Sequence, residues 1–322
     1  MKTVLTSYRR DAVILVSSLL LSIGILSFTG NNSEYADGEQ MSDDPDVIRE
    51  DAILRDYTVA NVTTPPDELD LDSFYQKYTD ALGIPVIGSS DVPDIAFLVA
   101  RDVVITMLAK RADLRSHMAE NGFRLAIMAD TDSTTDLPEQ RDWRKPSLDD
   151  RRLTDGERRN YDRIAAMTDQ QYWNTRARGM GGRLSSCAEE NILGYPGTRY
   201  YGENILVHEF SHGIHSAIRQ VDPELNSRIS EAYDSAVDQG LWRGHYGGNT
   251  VAEYWAEGTQ YWFNSNYDHY FDDFHIATHE DLEEYDPTLF ALLGEVYGTN
   301  HIPMDVYYMH ESRLRAQRST NR

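Results

Sequence analysis

Residues 202–219 read GENILVHEFSHGIHSAIR, and the order His208, Glu209, Phe210, Ser211, His212 inside that run decides how the rest of the chain is read. On an α-helix, side chains four positions apart share a face, so the two imidazoles can hold one zinc ion between them. Glu209 sits about 100° around the helix from His208, where a carboxylate reaches an ion-activated water as general base without joining the ligands. Ile205, Leu206, Phe210 and Ile214 supply an apolar face, and Tyr195, Pro196 and Gly197 supply a turn ahead of it. Such a run is expected to be a buried helix with a metal site on its polar side.

A catalytic zinc of this kind takes three protein ligands and keeps one position open. His215 follows His212 by three residues, but three successive turns of one straight helix do not converge on a tetrahedral ion. His215 is therefore read as packing beside the site or orienting a ligand. A second helix is expected after Gly247 and Gly248, where Glu253 and Glu257 are spaced i and i+4 among Trp255, Tyr261, Trp262 and Phe263. Two acids buried that close repel one another unless a cation or hydrogen bonds compensate, and zinc provides that compensation.

Residues 246–257, YGGNTVAEYWAE, following an HEFSH helix, resemble the catalytic core of the anthrax lethal factor-like peptidases, which include bacterial Pro-Pro endopeptidases. The resemblance covers residues 202–264 of the 322. It implies a gluzincin: His208, His212 and Glu253 as zinc ligands, Glu209 as base, Tyr246 assisting catalysis, and Glu257 hydrogen-bonded to a ligand histidine. Ser211 stands where the family has a small glycine, and Tyr254-Trp255 where it has two phenylalanines. The phenol of Tyr246 stays protonated at neutral pH and can donate to the oxyanion formed when water attacks a carbonyl. His245 beside it could play that part when protonated, and a turn made mobile by Gly247 and Gly248 leaves open the alternative that both residues only cap a loop.

The composition narrows the class further. Fifty-three acidic residues against 30 basic ones give a formal charge of -23, which excludes a phosphate backbone as partner over most of the surface. Only four of the basic residues are lysines, Lys2, Lys77, Lys110 and Lys145, a balance that suits a salty medium. A hydrophobic fraction of 40% is enough for a packed core. Cys187 is alone and closes no intrachain disulfide. Asp130, Asp132 and Asp136 lack the glycine and terminal glutamate of a calcium loop and read as a solvated turn.

Residues 1–30 carry Lys2, Arg9 and Arg10 ahead of an apolar run over 12–28, either a signal peptide or a single membrane anchor, so the chain is expected outside the cytoplasm. Residues 31–70 are acidic and turn-rich and read as a disordered tether, and 311–322 as a basic tail. Between them, 71–310 is expected to fold as one α+β domain, zincin-like by the resemblance and mostly helical with a small mixed sheet. A helix is expected over Asp91 to Lys110, capped near Asp91, and a strand over Phe123 to Met128. Thr131 to Trp173 is expected to wrap the surface, with one short helix near Asp155 to Met167. The function expected is zinc-dependent hydrolysis of a peptide or protein. The alternatives are an inactive zincin-like extracellular binding module and a structural envelope protein whose HExxH is accidental.

Overall fold

β1 (Lys77–Ala81) and β2 (Ile84–Gly88) are joined by two residues, Leu82 and Gly83, with φ of 55° and 91°. Two left-handed residues in succession make the tight turn whose twist matches an antiparallel hairpin, and Ala81 pairs with Ile84 directly across it. The Gly83 N–H donates to the Asp80 carboxylate at 3.0 Å, which fastens the turn. The structure is a computed structural model and describes residues 62–302 apart from 151, 152, 154, 272, 273 and 300. The apolar run over 12–28, the tether up to residue 61 and the basic tail lie outside the described residues. The last stretch of the expected tether is tied to the sheet: Thr63 and Tyr78 exchange backbone hydrogen bonds of 2.9 and 2.8 Å.

From β2 the chain crosses through α1 (Asp94–Met107) and α2 (Ala112–Glu120) to β3 (Arg124–Met128), parallel to β2. It crosses again through α3 (Asp155–Arg159), α4 (Tyr161–Ala166) and α5 (Asp169–Arg176) to β4 (Leu184–Ala188), parallel to β3. The order β1-β2-β3-β4 leaves β4 at one edge. β3 and β4 are buried at four of five positions each, the mark of parallel strands covered on both faces rather than alternating between core and solvent. The remainder is α6 (Glu189–Ile192), α7 (Ile205–Val221), α8 (Pro223–Asp238), α9 (Val251–Trp262), a hairpin of β5 (His269–Phe271) and β6 (Phe274–Ile276), α10 (His279–Tyr285) and α11 (Pro287–Val296).

The expected helix from Asp91 starts three residues late. Pro93 is its N-cap residue and no side chain caps it. A residue preceding proline is pushed out of the helical region, so Val92 cannot join the helix and Asp91 is stranded outside it. The expected single helix near Asp155 to Met167 is two, separated at Asn160. That stretch is also more than a surface wrap: Leu153, Ile164, Tyr172 and Trp173 form a small core of their own, with Trp143 and Met180 packed against it.

α7 packs between β4 and α9. Leu206, Phe210, Ile214 and Ile218 on its apolar side are all 1% exposed or less. Burying each such side chain is worth about 1.5–3 kcal/mol, so the four together rival the ~5–15 kcal/mol by which a domain is stable. Packing therefore holds this helix, and substitutions on its polar side leave the fold standing. α9 is fixed from the far side by Asp286, whose Oδ2 accepts from Trp242 Nε1 at 2.9 Å and from the Tyr254 hydroxyl at 2.7 Å. Its Oδ1 caps α11 through the Leu289 N–H at 3.0 Å.

Candidate metal centre and active site

Helix α7 begins at a defined point because Asn204 caps it, accepting from the Val207 N–H at 3.2 Å. Asn191 accepts from the Ile205 N–H at 2.7 Å and donates to the carbonyls of Tyr200 and Glu203. Helix α9 is capped by Thr250, which accepts from the Glu253 N–H at 3.2 Å and so sets Glu253 in the first turn. Crossing these two helices brings His208 Nε2 to 3.2 Å and His212 Nε2 to 3.5 Å from the same oxygen, Oε2 of Glu253.

One ligand atom from each of the three residues lies within 4.8 Å of the others. A tetrahedral ion bonded at about 2.0–2.1 Å holds its ligands about 3.3 Å apart, so these separations fit one such ion. Protonation tells the same story. Burial alone would lower the pKa of His208, yet the hydrogen bond to Glu253 and the charges of Glu209, Glu257 and Glu253 push it up to about 10. Burial likewise opposes the charge on Glu253, but its hydrogen bonds to the two histidines hold the carboxyl well below the usual range. A dication suits a field so negative. His208 Nδ1 meets Gln260 Oε1 at 2.9 Å. Because an amide oxygen only accepts, Nδ1 carries a proton; in the ion-free ring Nε2 is protonated too, on Glu253, and once that proton leaves Nε2 is the nitrogen free to bind an ion.

Sequence reasoning missed Gln260. It expected Glu257 to hold a ligand histidine, and Glu257 Oε1 stands 3.7 Å from His208 Nδ1, beyond hydrogen-bond distance. Glu257 instead accepts from Asn266 Nδ2 at 2.6 Å and lies 3.6 Å from His245 Nε2. The signal was available, since Gln260 follows Glu253 by seven residues and Glu257 by three, which puts all three on one helical face. Gln260 Nε2 also donates to the Asn204 carbonyl at 3.1 Å, so one side chain ties the cap of α7 to its histidine.

Glu209 lines the same cleft, and burial pushes its carboxyl pKa up, against the pull of His208 and His212. Tyr246 stands 42% exposed at the rim, its ring centroid 6.3 Å from that of His208. Partial desolvation and the nearby Glu253 raise its pKa, so its hydroxyl keeps its proton. The turn that carries Tyr246 was expected to be mobile, and its packing is tight. A Cβ on Gly248 would meet the Trp242 carbonyl oxygen at 2.5 Å, so that glycine allows a close approach, and the Tyr233 hydroxyl bonds the Gly248 carbonyl at 3.0 Å. His245 is turned inward: its Nδ1 accepts from the Gly247 N–H at 3.1 Å, and burial lowers its pKa to about 3, so it stays neutral.

His215, on α7 itself, is 1% exposed, with Nε2 3.2 Å from Asn226 Oδ1. It belongs to none of the groups able to hold a metal ion among the described residues. Ser211, also buried, donates to the His208 carbonyl at 2.7 Å. Cys187 is buried in the core, where desolvation holds its thiol far above the usual range. Gly181 presses against the His212 ring so closely that a Cβ there would lie 2.6 Å from it. The cleft over the three convergent residues measures about 1590 Å³, and its lining also includes Leu153, Tyr172, Trp173 and Met180.

No protein-family model and no curated protein sequence matches this chain. Among solved structures it is similar to the Pro-Pro endopeptidase PPEP-2 from Paenibacillus alvei, with a TM-score of 0.42 and 14% identity, over 66% of this chain and 97% of that one. The chemistry of the site is accordingly read from its own side chains.

Proposed function

We propose that this chain is a zinc-dependent peptidase with a zincin-like fold of the gluzincin type. The carrying observation is the convergence of His208, His212 and Glu253 within 4.8 Å on the floor of a cleft that Glu209 also lines. Two imidazoles and one carboxylate form the ligand set of catalytic zinc sites that keep a position open for water. A zinc ion held there supplies Lewis acidity, lowering the pKa of water toward neutrality and polarising a carbonyl. The chain's own groups do the rest. Glu209 takes the proton of the attacking water, and its raised pKa suits it to pass that proton to the departing amine. Tyr246 keeps its proton and donates to the carbonyl oxygen as negative charge grows there. Gln260 holds His208 in the tautomer that leaves Nε2 free. An extracytoplasmic location, through residues 12–28 as signal or anchor, belongs to the same proposal.

The test is zinc content and turnover of a peptide library by the full-length chain, beside Glu209→Gln and Glu253→Ala. The reading requires one zinc and turnover in the wild type, zinc without turnover in Glu209→Gln, and loss of zinc in Glu253→Ala. Zinc bound equally well without Glu253 sinks the ligand assignment. Stoichiometric zinc with no peptide cleaved by the wild type would instead mark an inactive binding module.

A further inference from the structure

The cleft has a charge unlike the chain that surrounds it. Overall the sequence carries 53 acidic residues against 30 basic ones. Yet among the described residues the lining of the cleft includes no aspartate, and five arginines: Arg159, Arg163, Arg176, Arg178 and Arg199. Of the lining carboxylates, Glu209, Glu253 and Glu257 belong to the candidate metal centre. The other two are Glu157 and Glu203. Glu157 is held by Arg176 at 3.0 Å and by the Tyr172 hydroxyl at 3.0 Å. Burial, the largest influence, raises the pKa of Glu203 to about 7, which removes much of its charge at neutral pH.

The arginines divide into two groups by what they already hold. Arg178 is committed to Glu190 at 2.8 and 2.9 Å and to the Ala129 and Asp132 carbonyls. Arg176 has Glu157. Arg199 donates to the Thr175 carbonyl and lies 4.9 Å over the Tyr200 ring, with no carboxylate beside it among the described residues. Arg159 at the end of α3 and Arg163 on α4 are exposed, and among the described residues neither guanidinium has an ion pair or a hydrogen bond. The small core of Leu153, Ile164, Tyr172 and Trp173 beneath them makes this wall a built element rather than a loose loop.

We propose that Arg159, Arg163 and Arg199 form a subsite that selects peptides bearing aspartate or glutamate side chains, an inference that rests on the peptidase reading of the site. Guanidinium groups pair with carboxylates in a two-pronged geometry that lysine cannot copy, and among the described residues the cleft lining holds arginines and no lysine. The chain's overall negative charge does not forbid such a substrate. At physiological ionic strength fields decay over about 8 Å, so distant repulsion is screened while contacts inside the cleft persist. Each partly exposed ion pair is worth a few-fold in affinity, so two or three together give roughly a tenfold preference.

The experiment uses the full-length, zinc-loaded chain carrying Glu209→Gln, so that binding is read without turnover. A labelled peptide with alternating Glu and Asp is compared with its Gln/Asn counterpart by fluorescence anisotropy, at 0.15 M and 0.5 M salt. The expected result is about tenfold tighter binding of the acidic peptide, shrinking at high salt, and collapsing toward equality when Arg159→Gln and Arg163→Gln are added. Equal affinity for the two peptides, or a preference untouched by both substitutions, overturns the inference. Turnover by the otherwise wild-type chain separates the two readings. Cleavage of library peptides without acidic preference leaves the peptidase standing and removes the subsite. Arginine-dependent binding with no cleavage of any peptide removes the peptidase and keeps an acidic-peptide site.

Discussion

Replacing Gln260 with leucine removes two hydrogen bonds and little volume. Gln260 is fully buried, with Oε1 2.9 Å from His208 Nδ1 and Nε2 3.1 Å from the Asn204 carbonyl oxygen. With the acceptor gone, the His208 proton can move to Nε2, the nitrogen a metal needs, and holding it on Nδ1 leaves a buried donor without a partner. Losses of this kind weaken metal affinity by about 10- to 100-fold, or roughly 1.4–2.7 kcal/mol. The Asn204 carbonyl keeps the His208 N–H at 3.2 Å, so losing the Gln260 donor costs about 0.5–1.5 kcal/mol of fold stability, and affinity must be read well below the unfolding midpoint, by competition with a chromophoric chelator. Glu257→Gln is the comparison. At 3.7 Å from His208 Nδ1 its carboxylate makes no hydrogen bond to that ring, and a glutamine can still accept from Asn266. The expected loss there is smaller, confined to one distant charge. If Gln260→Leu binds zinc within twofold of wild type while Glu257→Gln loses tenfold, the orienting role assigned to Gln260 is refuted.

Two further outcomes follow from the packing around the histidines. Gly181→Ala puts a Cβ 2.6 Å from the His212 ring, so either that ring or the backbone near residue 181 must move. Zinc affinity should fall by roughly tenfold with the helical circular dichroism unchanged, and undiminished affinity would mean that the glycine segment yields instead. His215 supplies a pH dependence. Burial and then the charge of Arg219 lower its pKa to about 4 in the folded chain, against about 6.5 unfolded. Above pH 6.5 the ring is neutral in both states and its stabilising contribution is complete. As pH falls from 6.5 to 4 the unfolded chain takes up the proton first, and stability drops by about 1.4 kcal/mol per unit, roughly 3 kcal/mol in all. Urea unfolding of wild type and His215→Leu over pH 7.5 to 4.5 should differ in slope by one proton within that window; parallel curves would show that His215 is not the group responsible.

How much was legible in the sequence depended on whether the determining force was local. The helix of 205–221 could be read because its apolar residues recur at helical spacing, and the same spacing puts His208 and His212 on one side of it. The helix carrying Glu253 was legible for a similar reason, with Thr250 ahead of it as a cap. The late start of α1 was also written locally, in Pro93, although the acid at Asp91 drew the boundary too early. What periodicity cannot carry is the choice between partners on different elements. Both Glu253 and Glu257 face the histidines by helical period, and only the angle at which α7 crosses α9 brings Glu253 to 3.2 and 3.5 Å and leaves Glu257 at 3.7 Å from the far nitrogen of His208. The same crossing brought Gln260 to His208. The cleft wall of arginines over 153–176 was beyond local reading too. Its charges oppose the composition of the whole chain, and its small aromatic core joins residues up to 30 positions apart, from Trp143 to Trp173, that no single helix or strand brings together. Sequence alone determined which chemical groups the chain can offer and on which helical face. The tertiary packing of two helices, fixed by buried apolar surface and by Asp286 beneath, decided which of those groups meet.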